Sequence, residues 1–313
     1  MRMKHFSVLK NEVLEALKVE RGAIIDCTLG YGGHTLSLLE QNPNIHIYAF
    51  DRDENALSLA KQRLAPYASR LQIQHSAFAN ALDSLGNEQL AQVRGILADI
   101  GVSSMQLDDK HRGFSFTSNN LDMRMDSTQN LNAAKVINTY SAMRLEEIFR
   151  IYGEIRQSKK LTELIVSARE KKPFESALEL SELIERHFPR IGGIHPATLA
   201  FQALRIEVNG ELEQLQTLLQ SIESAFINGV LYDCKVAIIS FHSLEDRIIK
   251  QTFKQWAKSC KCGENALKCE CGNNNALGSI LTKKPILPSE TEIIQNKRSR
   301  SAKLRIFQLG AKI

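Results

Sequence analysis

Residues 96–126 run ILADIGVSSMQLDDKHRGFSFTSNNLDMRMD, from Ile96 to Asp126. The first four of them decide the fold. The apolar run Ile96-Leu97-Ala98 ends on an acid, Asp99. A buried parallel strand has this pattern when it delivers a carboxylate to the carboxyl edge of a sheet, where α/β folds place their ligands. The character then changes. Gly101, Ser103, Ser104, Gln106, Asp108, Asp109, Arg112, Arg124 and Asp126 crowd a segment that also carries Phe114, Phe116, Leu121, Met123 and Met125. So many polar groups do not suit a core helix, and so many apolar ones do not suit a plain surface connection. The segment is expected to be an ordered loop packed on its own apolar residues and presenting polar groups to a ligand; an inter-domain connection is the alternative.

Working towards the amino terminus, Ala23 to Cys27 forms a short strand pattern, followed by Thr28-Leu29-Gly30-Tyr31-Gly32-Gly33-His34 and the helical TLSLLEQ. Strand, glycine-rich turn and helix in that order allow a ligand to approach the backbone closely. A second strand, His46 to Phe50, ends on Asp51. That acid lies about twenty residues past the turn, where such folds bind a ribose hydroxyl pair. The dinucleotide pattern is broken, because Thr35 stands where a third glycine belongs. A looser turn suits an adenosine cofactor without phosphates, such as S-adenosylmethionine, whose positive charges Asp26 and Asp99 would complement. A helix over Glu54–Leu64, a strand over Leu71–His75 and the strand Gly95–Asp99 complete a β-α-β-α-β-α-β order, an α/β doubly wound parallel sheet. Phe78, just beyond the third strand, is positioned to cover an adenine face or to fill the core.

Towards the carboxyl terminus, residues 132–228 are helical in pattern. Ser176 and Glu179 make a capping box, and a long amphipathic run covers Glu211 to Ile227. Ser7 is expected to cap a first helix carrying Val8, Val13, Leu14 and Leu17. A fifth strand follows at Lys235–Ser240. The chain is therefore expected to comprise a discontinuous core, 1–107 and 210–313, with residues 108–209 forming a connecting loop and an inserted all-helical domain for substrate recognition. Phe241 to Arg247 (FHSLEDR) holds His242, Ser243 and Asp246, but three such groups within five residues cannot converge as a hydrolytic relay, and no nucleophile elbow is present.

The 313 residues are 43% hydrophobic and 24% charged, ordinary values for a globular protein. The apolar runs are far too short for a membrane span, and the amino terminus lacks a signal-peptide core, so a cytoplasmic protein without membrane partners is expected. The net charge of +5 permits a nucleic-acid partner. Lys283, Lys284, Lys297, Arg298, Arg300, Lys303 and Arg305 gather near the carboxyl terminus, as a cluster for a nucleic-acid partner or, alternatively, as a solvated basic tail. Cys260, Cys262, Cys269 and Cys271 are spaced C-x-C-x6-C-x-C. In a reducing compartment that clustering points to structural zinc, with four unligated thiols as the alternative.

The blocks DIGVSSMQLDD, RGFSF, LDMRMD, HPAT, FQALRI, SFHSLEDR and RSRSAKLR, spread along essentially the whole chain, resemble the MraW family of bacterial ribosomal RNA small-subunit methyltransferases. The resemblance implies a Rossmann-like core with an inserted helical domain. It also implies methyl transfer from S-adenosylmethionine to the exocyclic N4 of one cytidine of 16S rRNA, at the decoding centre. Carried over by motif, Gly32, Gly33 and His34 touch the cofactor, Asp51 takes the ribose, Phe78 lies against the adenine, and Asp99 and Gln106 complete the pocket. Two positions depart from the family pattern, Leu199 after HPAT and Ile155 after YGE. Asp99, or a backbone carbonyl of the turn from Ile100 to Ser103, is the candidate acceptor of the amine proton. The proline motif of DNA amine methyltransferases is absent. Arg112, Arg124, His242, Arg298, Arg300 and Lys303 are the candidates for RNA contact, and a homodimer stays open as the oligomeric state.

Overall fold

The computed structural model describes residues 7–190, 192–193, 195–262 and 269–311. The chain divides into two compact units, Met1–Gly101 with Glu213–Ile313, and Val102–Leu212.

The first unit is built on a seven-stranded sheet with the order β3-β2-β1-β4-β5-β7-β6. Its strands are β1 (Gly22–Asp26), β2 (Ile45–Asp51), β3 (Leu71–His75), β4 (Val93–Asp99), β5 (Lys235–Ser240), β6 (Gly278–Ile280) and β7 (Lys303–Leu309). The first five are parallel; β7 pairs antiparallel with β5, and β6 antiparallel with β7. The sheet is therefore Rossmann-like as expected, but mixed rather than wholly parallel.

Alternation along the strands buries both faces. Ile25, Tyr48, Ile96, Val236 and Phe307 enter one cluster, shared with Leu215, Leu218, Ile222, Ile249 and Phe253 of flanking helices. Ile24, Ile47, Leu97, Ala237 and Ile306 enter the other, shared with Val13, Leu38, Leu57 and Leu64. Phe253, Trp256 and Phe307 pack with ring centroids 5.3 to 5.5 Å apart, joining the helix Ser243–Trp256 to the last strand.

Two expectations are corrected here. The first helix begins at Lys10, and Leu9 at φ 51, not Ser7, precedes it. The amide of Leu9 donates to Glu292 Oε1 at 2.8 Å, so a tertiary bond sets this end. The basic tail is also not a tail. Lys303 and Arg305 lie in β7, where Arg305 is buried and donates to both oxygens of Asp246 at 2.7 and 3.2 Å.

The second unit is all-helical among the described residues, with helices at Ser104–Asp108, Ala133–Thr139, Ala142–Ile151, Ser158–Arg169, Ala177–His187 and Thr198–Asn209. The capping box of Ser176 and Glu179 forms. Leu145, Phe149, Ile165, Leu180 and Leu204 make the core, and Phe114, Leu121, Met123 and Met125 of the long loop join it. The loop is ordered as expected, and its two arginines bond within the loop itself. Buried Asn209 donates to Met123 O and accepts from Met125 N, both at 2.8 Å, and so grips the backbone around Met123 at φ 60. Arg112 donates to the carbonyls of Arg124 and Met125. Arg124 forks onto Asp122 at 2.9 and 2.8 Å and reaches the carbonyls of Ser127 and Gln129. Backbone that is neither helix nor strand must find such partners when it is buried.

Asn209→Ala strands a buried amide and a buried carbonyl, so it is expected to lower the unfolding free energy by about 2 kcal/mol. Hydrogen exchange at the Met125 amide should rise with it. Unchanged exchange there would contradict the gripping role.

Candidate active site

The register of the central strands builds the site. Asp26, the last residue of β1, pairs with Ala49 of β2 and with Leu97 of β4. Asp51 and Asp99 therefore stand two residues further towards the carboxyl edge, on either side of β1 and on the same face as Asp26. At about 3.3 Å per residue this places two carboxylates roughly 7 Å beyond a third. The strand order reverses at β1 and β4, the place where open α/β sheets leave a crevice.

The recessed acid is structural. Asp26 is 1% exposed, and it accepts from the amide of Thr28 at 3.2 Å and the hydroxyl of Thr35 at 2.7 Å. It therefore ties the turn and the helix Gly33–Gln41 to the sheet. The Thr28 hydroxyl then accepts from the Asp99 amide at 2.7 Å, passing the link on to β4. Sequence reasoning missed both threonines, although Thr28 two residues after Asp26 is a side-chain turn signal. Burial raises the Asp26 pKa, opposed by the Thr35 hydrogen bond and by His34.

Asp51 organises the other side of the crevice. Its oxygens accept from the amides of Gly30 at 2.7 Å and Asp53 at 2.9 Å. Each carboxylate oxygen has a second acceptor direction, which suits a pair of ribose hydroxyls. Burial raises the Asp51 pKa as well, and the two amides oppose it.

Asp99 and His34 face one another, with Nε2 of His34 3.6 Å from Oδ2 of Asp99. Oδ1 of Asp99 and both ring nitrogens of His34 are buried without a hydrogen-bond partner. Buried polar atoms are almost always paired, so three orphans at a sheet's carboxyl edge mark a place where a polar ligand completes the protein. They fit a cofactor bearing ammonium and carboxylate groups. Phe78 lies just past β3, buried in the core cluster of one sheet face.

The glycines act differently from the simplest expectation. Gly32 has φ 72, and a Cβ there would lie 2.6 Å from Leu64 Cδ1; a Cβ on Gly33 would meet the hydroxyl of Ser7. Protein packing takes up those directions. Gly30, at φ 50, has nothing within 4 Å in its Cβ direction, so it is the glycine with open space beside it.

The remaining candidates are held by partners within the protein or are exposed. Gln106 belongs to the second unit, where its side chain accepts from the Ser103 amide at 2.9 Å in a capping box. His242 caps the helix Ser243–Trp256 and is nearly buried, its Nε2 3.0 Å from Glu245 Oε1. Glu245 also accepts from the amides of Phe241 and His242. Arg298 and Arg300 are exposed on a short 3-10 turn, Lys297–Ser301, and Lys303 Nζ lies 3.6 Å from Asp246. The four cysteines cluster between the helix Ser243–Trp256 and β6. Among the described residues no helix is long and apolar enough to cross a membrane.

A left-handed backbone costs an L-residue about 1–2 kcal/mol. Gly30→Ala should cost about 1 kcal/mol by denaturant unfolding, and Gly32→Ala distinctly more because Leu64 must also shift. Equal costs would contradict the packing role of Gly32.

A family model described as the MraW methylase family matches residues 2–309. The ribosomal RNA small subunit methyltransferase H of Helicobacter hepaticus (strain ATCC 51449 / 3B1) is 67% identical over 309 residues, spanning 98% of both chains. Its namesake from Campylobacter curvus (strain 525.92) is 52% identical over 309 residues, spanning 99% of both. With near-complete coverage on both sides, the chain belongs to the MraW methylase family.

Proposed function

We propose that this methyltransferase moves a methyl group from S-adenosylmethionine to the exocyclic N4 of a specific cytidine of 16S rRNA, at the decoding centre of the small ribosomal subunit in the cytoplasm. The observation that carries the proposal is the pair of acid-tipped strand ends flanking β1, with Asp99 Oδ1 and both ring nitrogens of His34 left without a hydrogen-bond partner. The family membership and the relatives' activity on small-subunit RNA support the same reading.

S-adenosylmethionine supplies a methyl group on a positively charged sulfur. Asp51 is assigned the ribose, Phe78 the adenine and His34 with Asp99 the amino-acid end, with Gly32 and Gly33 completing the set within the first unit. Asp99 lends negative charge to that end of the cofactor. The cytosine amine is a weak nucleophile, because its lone pair is drawn into the ring. Holding it in line with the methyl group provides much of the acceleration. The cofactor would supply the methyl group as an electrophile, and Asp99 is the assigned acceptor of the proton that the amine gives up. A cytidine within folded RNA must be splayed out to reach the methyl. The helical unit is assigned to RNA recognition. Arg298, Arg300 and Lys303 are assigned to the phosphates, and Arg112, Arg124 and His242 are assigned to RNA contact alongside the hydrogen bonds they make within the protein.

Incubation with isotopically labelled S-adenosylmethionine and small subunits lacking the modification, followed by nucleoside digestion and mass analysis, is expected to place label at N4 of one cytidine. Label on another base or on protein would overturn the specificity. Asp51→Ala should weaken cofactor binding by about 10- to 100-fold, the worth of one to two charged hydrogen bonds. Asp99→Asn should lower kcat about a hundredfold at saturating cofactor and RNA. Wild-type turnover in that variant would remove Asp99 as the acceptor.

A further inference from the structure

The first unit carries a segment from Trp256 to Leu277 in which none of the described residues between these two is buried. Its ends are pinned. The Leu277 amide donates to Trp256 O at 2.7 Å, and the Asn275 amide donates to Ser259 O at 3.0 Å. The Asn275 side chain donates to the carbonyls of Ser259 and Cys271, both at 3.1 Å. Trp256 and Leu277 are buried, whereas Ser259, Lys261, Glu270 and Asn274 are half-buried or exposed. A segment of this kind needs something other than apolar burial to define its path.

The four cysteines provide it. Sγ of Cys260 is 3.7 Å from Sγ of Cys269 and 3.7 Å from Sγ of Cys271, and the last two are 3.6 Å apart. These three sulfurs form a nearly equilateral triangle, and Cys262 brings the fourth within 4.8 Å of the others. Four thiolates around one zinc ion at about 2.3 Å sit at tetrahedron corners about 3.8 Å apart. The observed triangle is one face of that tetrahedron. A disulfide would instead draw one pair to about 2.05 Å and leave the third sulfur outside. An iron–sulfur cluster would hold its cysteines farther apart than a single ion does.

Two backbone donors reinforce the arrangement. The amide of Lys261, between the first two cysteines, donates to Cys271 Sγ at 3.2 Å. The amide of Glu270, between the last two, donates to Cys262 Sγ at 3.3 Å. Each C-x-C turn therefore supports a sulfur of the other. Outer-shell donors of this kind orient metal-bound thiolates and spread their charge. Neighbours one residue apart are hard to aim at one ion, and the tight C-x-C spacing works because the two turns face each other.

We infer that Cys260, Cys262, Cys269 and Cys271 bind one structural zinc ion that staples the connection between the helix Ser243–Trp256 and β6. All four positions are taken by protein sulfur, so the ion has no open site and no role in methyl transfer.

The test uses the full chain, purified under reducing conditions from zinc-supplemented medium without chelator. Elemental analysis is expected to find about one zinc per chain, and cobalt exchanged into the site should show the intense visible bands of a tetrahedral tetrathiolate. Cys262→Ser and Cys269→Ser should each lower the zinc content to below about a tenth per chain. Because those variants could unfold the segment, the wild-type metal content stands as an independent readout. Less than about a tenth of a zinc per wild-type chain would overturn the inference. So would stoichiometric iron with visible absorption, two disulfides in place of free thiols, or zinc retained in both variants.

Discussion

Burying the Asp26 carboxylate is the constraint on which the rest of the site depends. Taking a carboxylate out of water costs several kcal/mol unless hydrogen bonds replace the lost solvation. Here Thr35 and Thr28 replace it, and Thr28 in turn receives the Asp99 amide. One side chain thus fixes the glycine turn, the start of the following helix and the end of β4. Burial raises the pKa of Asp26 and of Asp51. A carboxyl with a raised folded-state pKa contributes stability that is full below its unfolded pKa and is lost as pH rises through the folded one. As pH rises through the raised values, ionising these two acids therefore works against stability, a cost familiar at functional sites.

The two units solve the problem of irregular backbone in different ways. In the first, the turn after β1 hangs on carboxylates at strand ends. In the second, the long loop is held by Asn209 and by the guanidinium groups of Arg112 and Arg124, all bonded to backbone or to Asp122. The pKa of Arg124 is raised by its hydrogen bond to Asp122, in keeping with an ion pair that is part of the loop's framework. Polar residues in such a segment are not a measure of ligand contact, because an ordered loop needs them for its own backbone.

The five parallel strands and most helices were legible in the sequence, since their apolar periodicity and flanking turns are local signals. The acids at 51 and 99 were legible as strand ends, but the two-residue offset from Asp26 was not, because register belongs to the sheet. The strand Lys303–Leu309 was hidden by its charges. Arg305 looks like part of a basic tail until Asp246, on another element, is seen to neutralise it, although the apolar positions Leu304, Ile306, Phe307 and Leu309 carried a strand signal. Gly32 and Gly33 were legible as a turn, while the reason for their lack of a side chain is packing against Leu64 and Ser7. His242 resembled a catalytic or RNA-binding group because capping a helix and binding a ligand call for the same residue types.

On the proposed function, the acid-tipped ends of β2 and β4 form the cofactor crevice. An experimental structure of the full chain with S-adenosylhomocysteine tests it most directly. Ribose hydroxyls are expected within hydrogen-bond distance of Asp51, and the amino-acid end is expected to satisfy Asp99 Oδ1 or the His34 ring. A cofactor product bound away from these strand ends, with those atoms still unpaired, would contradict it.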